Sequence, residues 1–215
     1  MGKTLEWAKN QGSKVKSYGY GHHRINVSEN VQSSQACIMM NVPVKMSMIQ
    51  VYLICEILNK FVLCKIREQG LAYAVNVQVD FKAEEIVILI HDSTLVLNAL
   101  SAIRDAIQDL HQFKLTDKML ERIKRSAYFK HCQRLQNPYD KLINEFIDAC
   151  FCRTFELSEL NTINATTVSE SLRKFSELYL NNSNLNIVIM MPKSTAMQKV
   201  STLKAFVTYG FKLFM

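Results

Sequence analysis

The sequence predicts an α+β fold in which an antiparallel sheet is covered on one face by helices. Apolar residues alternate with polar ones over residues 75–81, as in a strand with one buried face. A second apolar run, IVILI at 86–90, follows after the tetrapeptide KAEE, and so short a connection favours antiparallel pairing. The helical patterns gather in residues 93–180 instead of alternating with strands, which argues against a parallel sheet.

The first third of the chain contains a predicted lead-in, a strand and a helix. Residues 1–32 are polar and irregular in pattern, so we predict a lead-in there, followed by a single domain over residues 33–215. An apolar run at 36–44 predicts the first strand. Ser47 is a plausible N-cap for a helix whose apolar side chains recur at steps of three and four residues. We expect this helix to end near Glu68, because Gly70 follows and favours the left-handed conformation that terminates helices.

Several helices and a closing strand are predicted after the strand pair. The first helix has an apolar stripe that begins at Val96 and ends at Leu110. The second begins at Thr116, whose hydroxyl suits an N-cap, and Pro138 separates it from a helical pattern at 139–151. A helix at 167–180 and a strand at 185–191 follow, and a short helix with an apolar segment comes last.

The charge of the chain is unevenly distributed. It carries 26 basic and 19 acidic residues, a net charge of +7, and much of the excess lies in the predicted helix after Thr116. Neither a recognised nucleic-acid-binding module nor base-reading groups accompany these charges, so we expect no nucleic-acid partner. A solvated helix face, or a wall that attracts acidic peptide, is the favoured interpretation. The basic residues concerned are Lys118, Arg122, Lys124, Arg125, Lys130 and Arg134.

The apolar segments of the sequence indicate whether the chain enters a membrane and in which compartment it resides. The longest apolar stretch, 51–66, is interrupted by Glu56, Asn59 and Lys60, which predicts a buried helix and no membrane partner. The N-terminal residues lack the apolar core of a secretion signal. The six cysteines mostly lie in apolar segments, as free thiols do in a reducing compartment. We therefore expect a cytoplasmic protein, with mitochondria as the alternative.

The segment 66–73, IREQGLAY, joins the helix after Ser47 to the alternating strand and holds the candidate site. Arg67 offers a rigid fork of donors for a carbonyl or carboxylate, and Tyr73 offers a hydroxyl that could donate to a developing oxyanion. Gly70 allows a tight reversal between them. Taken from the residues alone, packing or an ordinary salt bridge is the simpler explanation of such a pair.

The order of elements around this segment carries a family resemblance. A helix, an arginine, the tetrapeptide Gly-Leu-Ala-Tyr and an alternating strand resemble the C-terminal repeats of the pitrilysin/insulinase zinc metallopeptidases. The short spacing is most similar to the presequence-protease-like branch, although Glu-Gln follows the arginine where that branch usually has a glycine. Further similarity lies in KLTDKMLERIKRSAYF at 114–129, in the helix at 166–180 and in IVIMMPK at 187–193. The resemblance extends over about residues 33–214.

The resemblance implies a repeat like those of mitochondrial processing peptidases, which close in two halves around a chamber for an extended peptide. An early repeat holds zinc through a His-x-x-Glu-His motif, and the zinc activates water for hydrolysis. The last repeat supplies an arginine and a tyrosine that hold the substrate backbone and the tetrahedral intermediate. By motif, these two roles fall on Arg67 and Tyr73, with Gly70 in the turn between them.

The chain itself has no His-x-x-Glu-His motif, and its histidines at 22, 23, 91, 111 and 131 are not spaced for one. We therefore expect neither a metal nor catalysis from this chain alone. The resemblance implies a non-catalytic module that contacts a peptide substrate and works with a zinc-bearing N-terminal half, in the same gene product or in a separate chain. The alternative is a catalytically dead scaffold subunit, and an unrelated α+β binding module is a third hypothesis.

Overall fold

The computed structural model describes residues 16–20, 23–28, 32–42, 46–80, 85–139, 141–143, 146, 158–181 and 185–192. Six strands form one sheet in the order β1-β2-β6-β3-β5-β4. They are β1 Lys16–Tyr20, β2 His23–Ser28, β3 Ser34–Asn41, β4 Ala72–Asp80, β5 Glu85–Ser93 and β6 Leu185–Pro192. The helices are α1 Met48–Glu68, α2 Val96–His111, α3 Asp117–Gln136, α4 Glu159–Thr162 and α5 Ala165–Leu180.

The sheet is antiparallel over most of its width. Strands β6, β3, β5 and β4 are successively antiparallel, which confirms the predicted class of sheet. In the pairing of β4 with β5, Val75 lies opposite Ile90 and Val79 opposite Ile86, as their short connection predicted. Strand β4 is at the edge. The sheet departs from the predicted antiparallel arrangement at the end opposite β4. There β2 runs parallel to β6, and the sheet is therefore mixed.

Helices pack on one face of this sheet. The buried side chains of the central strands alternate, as with Ile38, Ile88 and Ile187, and they form one core with side chains of α1, α2 and α5. The intervening residues of the same strands, such as Cys37 and Leu89, are half-buried. This period of two is typical of a sheet whose core side faces a helix layer.

Helix α1 is the central helix of the layer. Its first turns, residues 51–58, are buried on all sides because α1 packs against β4, α2, α3 and α5. The polar interruption at Glu56 therefore lies inside the protein, where it is 7% exposed. Its carboxylate oxygens accept hydrogen bonds from Lys130 Nζ at 2.8 and 2.7 Å. This ion pair compensates the buried charge and joins α3 to α1.

The helix caps follow the chemistry expected from the sequence. Ser47 Oγ accepts from the backbone N–H of Gln50 at 3.4 Å, and Gln50 Oε1 accepts from the N–H of Ser47 at 2.9 Å, which forms a capping box. At α3, Thr116 Oγ1 accepts from the backbone N–H of Met119 at 3.4 Å. The last large helix, α5, is capped by Asn164 and begins at Ala165 instead of at residue 167.

The prediction of an irregular lead-in is wrong for residues 16–20 and 23–28, where β1 and β2 pair antiparallel at the edge of the sheet. The segment HRINVS does alternate, but it is short, and KSYGY contains a glycine that weakens a strand pattern. The parallel pairing of β2 with β6 joins distant parts of the chain and has no local signal. The predicted division of the chain into a segment 1–32 and a single domain 33–215 stays a prediction.

The other predicted elements are found or lie outside the described residues. The apolar stripe of α2 is confirmed, because the side chains from Val96 to Leu110 that form it are buried. The predicted helix at 139–151 is described only in part, and 138–139, 141–143 and 146 are helical. The predicted elements after Pro192 lie outside the described residues. None of the helices in the described part is long and apolar enough to cross a bilayer.

Candidate peptide-contact site

The turn between α1 and β4 has the geometry that Gly70 was expected to allow. Gly70 has a φ of +61°, in the left-handed region. Its N–H donates to the carbonyl of Arg67 at 3.1 Å, and the N–H of Leu71 donates to the carbonyl of Ile66 at 3.1 Å. These two bonds form a Schellman motif, and the buried side chains of Leu71 and Ile66 belong to the same core. The chain therefore reverses direction in a fixed geometry.

Arg67 and Tyr73 lie on either side of this turn, and both side chains are exposed. Arg67 is in the last turn of α1, and Tyr73 is the second residue of the edge strand β4, with 78% of its surface exposed. Within the described residues, neither makes an ion pair or a side-chain hydrogen bond. The turn thus brings both residues to the same end of the sheet, with donors available to a ligand.

The neighbouring cation of α1 is already paired. Lys65 also lies in the last turn, and its Nζ is 3.1 Å from Asp109 Oδ2 of α2. The hydrogen bond to Asp109, together with the charge of that carboxylate, raises the pKa of Lys65. Arg67 is therefore the cation at this helix end whose charge remains available.

A buried serine holds the start of β4 in place. Ser93, at the end of β5, is 1% exposed, and its Oγ donates to the carbonyl of Leu71 at 2.7 Å. Leu71 directly precedes the strand that carries Tyr73. This hydrogen bond fixes the backbone at the point where the Schellman turn passes into the sheet. Ser93 is thus a positioning residue for the candidate site.

Asp92 lies between Ser93 and His91, the partners of Ala72 and Ala74 in the β4–β5 register. It has a φ of 51°, which is uncommon for a residue other than glycine, and its carboxylate accepts a hydrogen bond from Ser33 Oγ at 2.6 Å. Strained backbone of this kind concentrates at functional sites. Neither Asp92 nor Ser93 was predicted from the sequence. The available signal was the polar tripeptide His-Asp-Ser at the end of an apolar strand.

The described residues do not provide a metal site. No three side chains of His, Cys, Asp or Glu lie together in this part of the chain so that they could hold a metal ion. His91 is exposed on β5, whereas His111 ends α2 and has a buried Nδ1 without a hydrogen-bond partner. The zinc that the resemblance implies for the family does not fit the described residues of this chain.

Known proteins are similar to this chain in structure and not in sequence. No model of a known protein family matches the sequence, and no curated protein is significantly similar to it. A Pseudomonas fluorescens structure described as a peptidase M16 inactive domain matches with a TM-score of 0.60 and 16% identity, over 84% of this chain and 46% of its own. A protein from Yersinia pestis described as a predicted insulinase family protease has a TM-score of 0.54 and 11% identity, over 87% and 46%. A protease from Helicobacter pylori has a TM-score of 0.60 and 13% identity, over 80% and 45%.

The chain has the fold of the insulinase-type (M16) peptidases. This likeness confirms the predicted fold, while the presequence-protease-like branch stays a prediction. At such low identities the likeness concerns the M16 fold alone, so any function must be argued from the residues of this chain. The chain spans less than half the length of these three proteins.

Proposed function

We propose that this chain is a non-catalytic C-terminal module of a zinc metallopeptidase, in which Arg67 and Tyr73 contact the backbone of a peptide substrate. The module forms half of a chamber around the peptide and does not hydrolyse peptides alone. A zinc-bearing N-terminal half, from the same gene product or from another chain, completes the enzyme. The observation that carries the proposal is the pair of exposed, unpaired donors on either side of the Schellman turn.

The chemistry of the two side chains suits a polypeptide backbone. The guanidinium of Arg67 presents parallel N–H donors that match a carbonyl or a terminal carboxylate, and its charge makes these hydrogen bonds stronger than neutral ones. The phenol of Tyr73 donates a single hydrogen bond, which gains strength when negative charge develops on the accepting oxygen. Two donors of different reach therefore position the peptide and favour the charged intermediate over the ground state.

The second candidate function is that of a catalytically dead scaffold or interaction subunit with the same fold. The observation that favours it is the likeness to the Pseudomonas fluorescens structure, which is described as an inactive domain. A scaffold, however, has no need of two unpaired donors at one end of the sheet. The presence of Arg67 and Tyr73 at that position supports the peptidase module.

We place the assembled peptidase in the cytoplasm, with mitochondria as the alternative. Support comes from the cysteines, since those in the described part of the chain are free thiols. Free thiols are typical of reducing compartments. The thiols concerned are Cys37, Cys55, Cys64 and Cys132.

Turnover by the assembled peptidase tests the proposal. The tagged chain is purified together with the partner that carries His-x-x-Glu-His, and cleavage of a fluorogenic peptide is measured. We expect Arg67→Ala and Tyr73→Phe each to lower kcat/KM by about 100- to 1000-fold, the effect of removing one oxyanion donor. Lys60→Ala removes another exposed cation of α1 and should leave turnover unchanged.

The thermal unfolding midpoint of each variant provides the folding control, since both side chains are exposed and their loss leaves no cavity. Wild-type turnover in Arg67→Ala and in Tyr73→Phe would contradict the peptide-contact role. Purification of the chain in a stable complex that contains no peptidase would favour the scaffold instead.

A further inference from the structure

A cavity of about 490 Å³ lies between α3 and α4, apart from the Arg67–Tyr73 site. We call it the α3–α4 cavity. Its apolar wall consists of Tyr128 and Phe129 of α3 and of Leu160 of α4. The two aromatic side chains are 53% and 62% exposed, although large apolar groups usually lie inside a protein. Arg125 stands in the wall beside them.

The cations of α3 are only partly neutralised. Lys124 Nζ is 3.1 Å from Glu121 Oε1, and Lys130 Nζ is 2.7 Å from a carboxylate oxygen of Glu56. Three other cations of the helix are exposed and follow each other at steps of four and three residues, so they share one stripe of its surface. These cations, which have no ion pair in the part of the chain that the structure describes, are Lys118, Arg122 and Arg125.

We propose that the α3–α4 cavity binds an acidic segment of a partner protein. In this arrangement a carboxylate of the segment faces Arg125, and an adjacent apolar side chain lies against Tyr128, Phe129 and Leu160. Charge complementarity supports this occupant, because the stripe of α3 is basic and the whole chain carries a net charge of +7. Tyrosine and arginine in a concave surface are also the residue types that dominate binding energy in protein interfaces.

A second copy of the chain fits this surface poorly. In a twofold-symmetric dimer both copies contribute the same patch, so the unpaired cations of both copies would gather in one interface. Repulsion between like charges opposes such an interface. An acidic partner neutralises the same cations and therefore suits the surface better.

A nucleic acid also fits less well than an acidic peptide. Among the unpaired cations of α3 that the structure describes, Arg125 is the one that lines the cavity, whereas a nucleic acid presents a row of phosphates that needs several cations. The aromatic side chains are adjacent in the chain instead of being spread along a groove, as stacking of successive bases requires. A peptide that offers one carboxylate to Arg125 and one apolar side chain to the aromatic wall would occupy the cavity.

Fluorescence anisotropy with the full chain tests the proposal. The probe is a fluorescein-labelled peptide of glutamates around one phenylalanine, and the comparison peptides have glycine for the phenylalanine or lysines for the glutamates. We expect the first peptide to bind, Arg125→Glu to weaken its binding by about tenfold, and Phe129→Ala to weaken it by about fivefold. Lys174→Glu, the same charge change at an exposed cation of α5, should leave binding unchanged.

The proposal would be overturned by no binding of the acidic peptide, by an equal loss in Lys174→Glu, by equal binding of the glycine or the lysine peptide, or by displacement by a single-stranded oligonucleotide that binds more tightly through Arg125. Light scattering tests whether a second copy of the chain occupies the cavity instead. A dimer that dissociates in Arg125→Glu would assign the cavity to a second copy of the chain and would contradict the acidic partner. Unchanged unfolding midpoints of the variants control for folding.

Discussion

Gly70 is the residue whose left-handed backbone conformation forms the turn between α1 and β4. A Cβ at this position would meet no atom within 4 Å, so alanine would be disfavoured by its left-handed φ alone. We expect Gly70→Ala to lower the free energy of unfolding by about 1 kcal/mol, measured by urea denaturation. Gln69→Ala is the matched control, because Gln69 is the neighbouring exposed residue and its φ of −95° is ordinary for alanine. Equal losses in the two variants would contradict the role of the left-handed turn.

The cysteine thiols differ in their surroundings and should differ in reactivity. Burial, and to a smaller extent the charge of Glu85, raises the pKa of Cys37 to about 11. Burial and then the charge of Glu56 raise the pKa of Cys55 as well, whereas Cys64 is exposed. Because the thiolate is the reactive form, we expect iodoacetamide at pH 8 to alkylate Cys64 well before the other two. Mass mapping of peptides over time measures the order, and alkylation of Cys55 as fast as Cys64 would contradict the buried position.

At the scale of single elements, the sequence predicts the helices, caps and turns that depend on residues close together in the chain. The capping box at Ser47 and the turn at Gly70 depend on side chains and φ values within a few positions, so α1 and its ends could be predicted. The Arg67–Tyr73 pair comes from the same contiguous segment. By contrast, Ser93 lies on another strand and reaches Leu71 only once the sheet has formed. The β1–β2 pair and the parallel contact of β2 with β6 were missed for the same reason.

The ion pair between Lys130 and Glu56 connects α3 to α1, and a substitution can measure how much it stabilises the protein. Lys130→Met leaves a carboxylate that is 7% exposed without its partner. We expect a loss of about 2 kcal/mol in the free energy of unfolding, below the usual range for a fully buried pair because the Lys130 side chain is 44% exposed. Lys174→Met, at an exposed position of α5, should be nearly neutral.

A double-substitution cycle identifies the cause of that loss. Glu56→Gln together with Lys130→Met removes both charges, so the double variant should regain part of the stability that Lys130→Met loses. Urea denaturation of the four proteins gives the coupling energy. Strictly additive losses would show that the ion pair does not join the two helices.

At the scale of the whole molecule, the two proposed surfaces lie on different elements of the M16 fold. The Arg67–Tyr73 site lies where α1 meets the edge strand β4, and the α3–α4 cavity lies on a side of α3 that the core does not cover. The two surfaces share no residue, and we propose substrate contact at the first and partner binding at the second as separate events. Each surface can be altered without the other, and the two proposals can fail independently.

Photocrosslinking from position 73 tests the central claim most directly. Tyr73 is replaced by benzoylphenylalanine in the assembled peptidase, chelation prevents cleavage, and a biotinylated substrate peptide is added before irradiation. We predict a crosslink from position 73 that weakens in the Arg67→Ala background, and none from the same group at Gln108, an exposed residue of α2. A peptide that crosslinks equally from both positions, or from neither, would contradict a peptide-contact role for this end of the sheet.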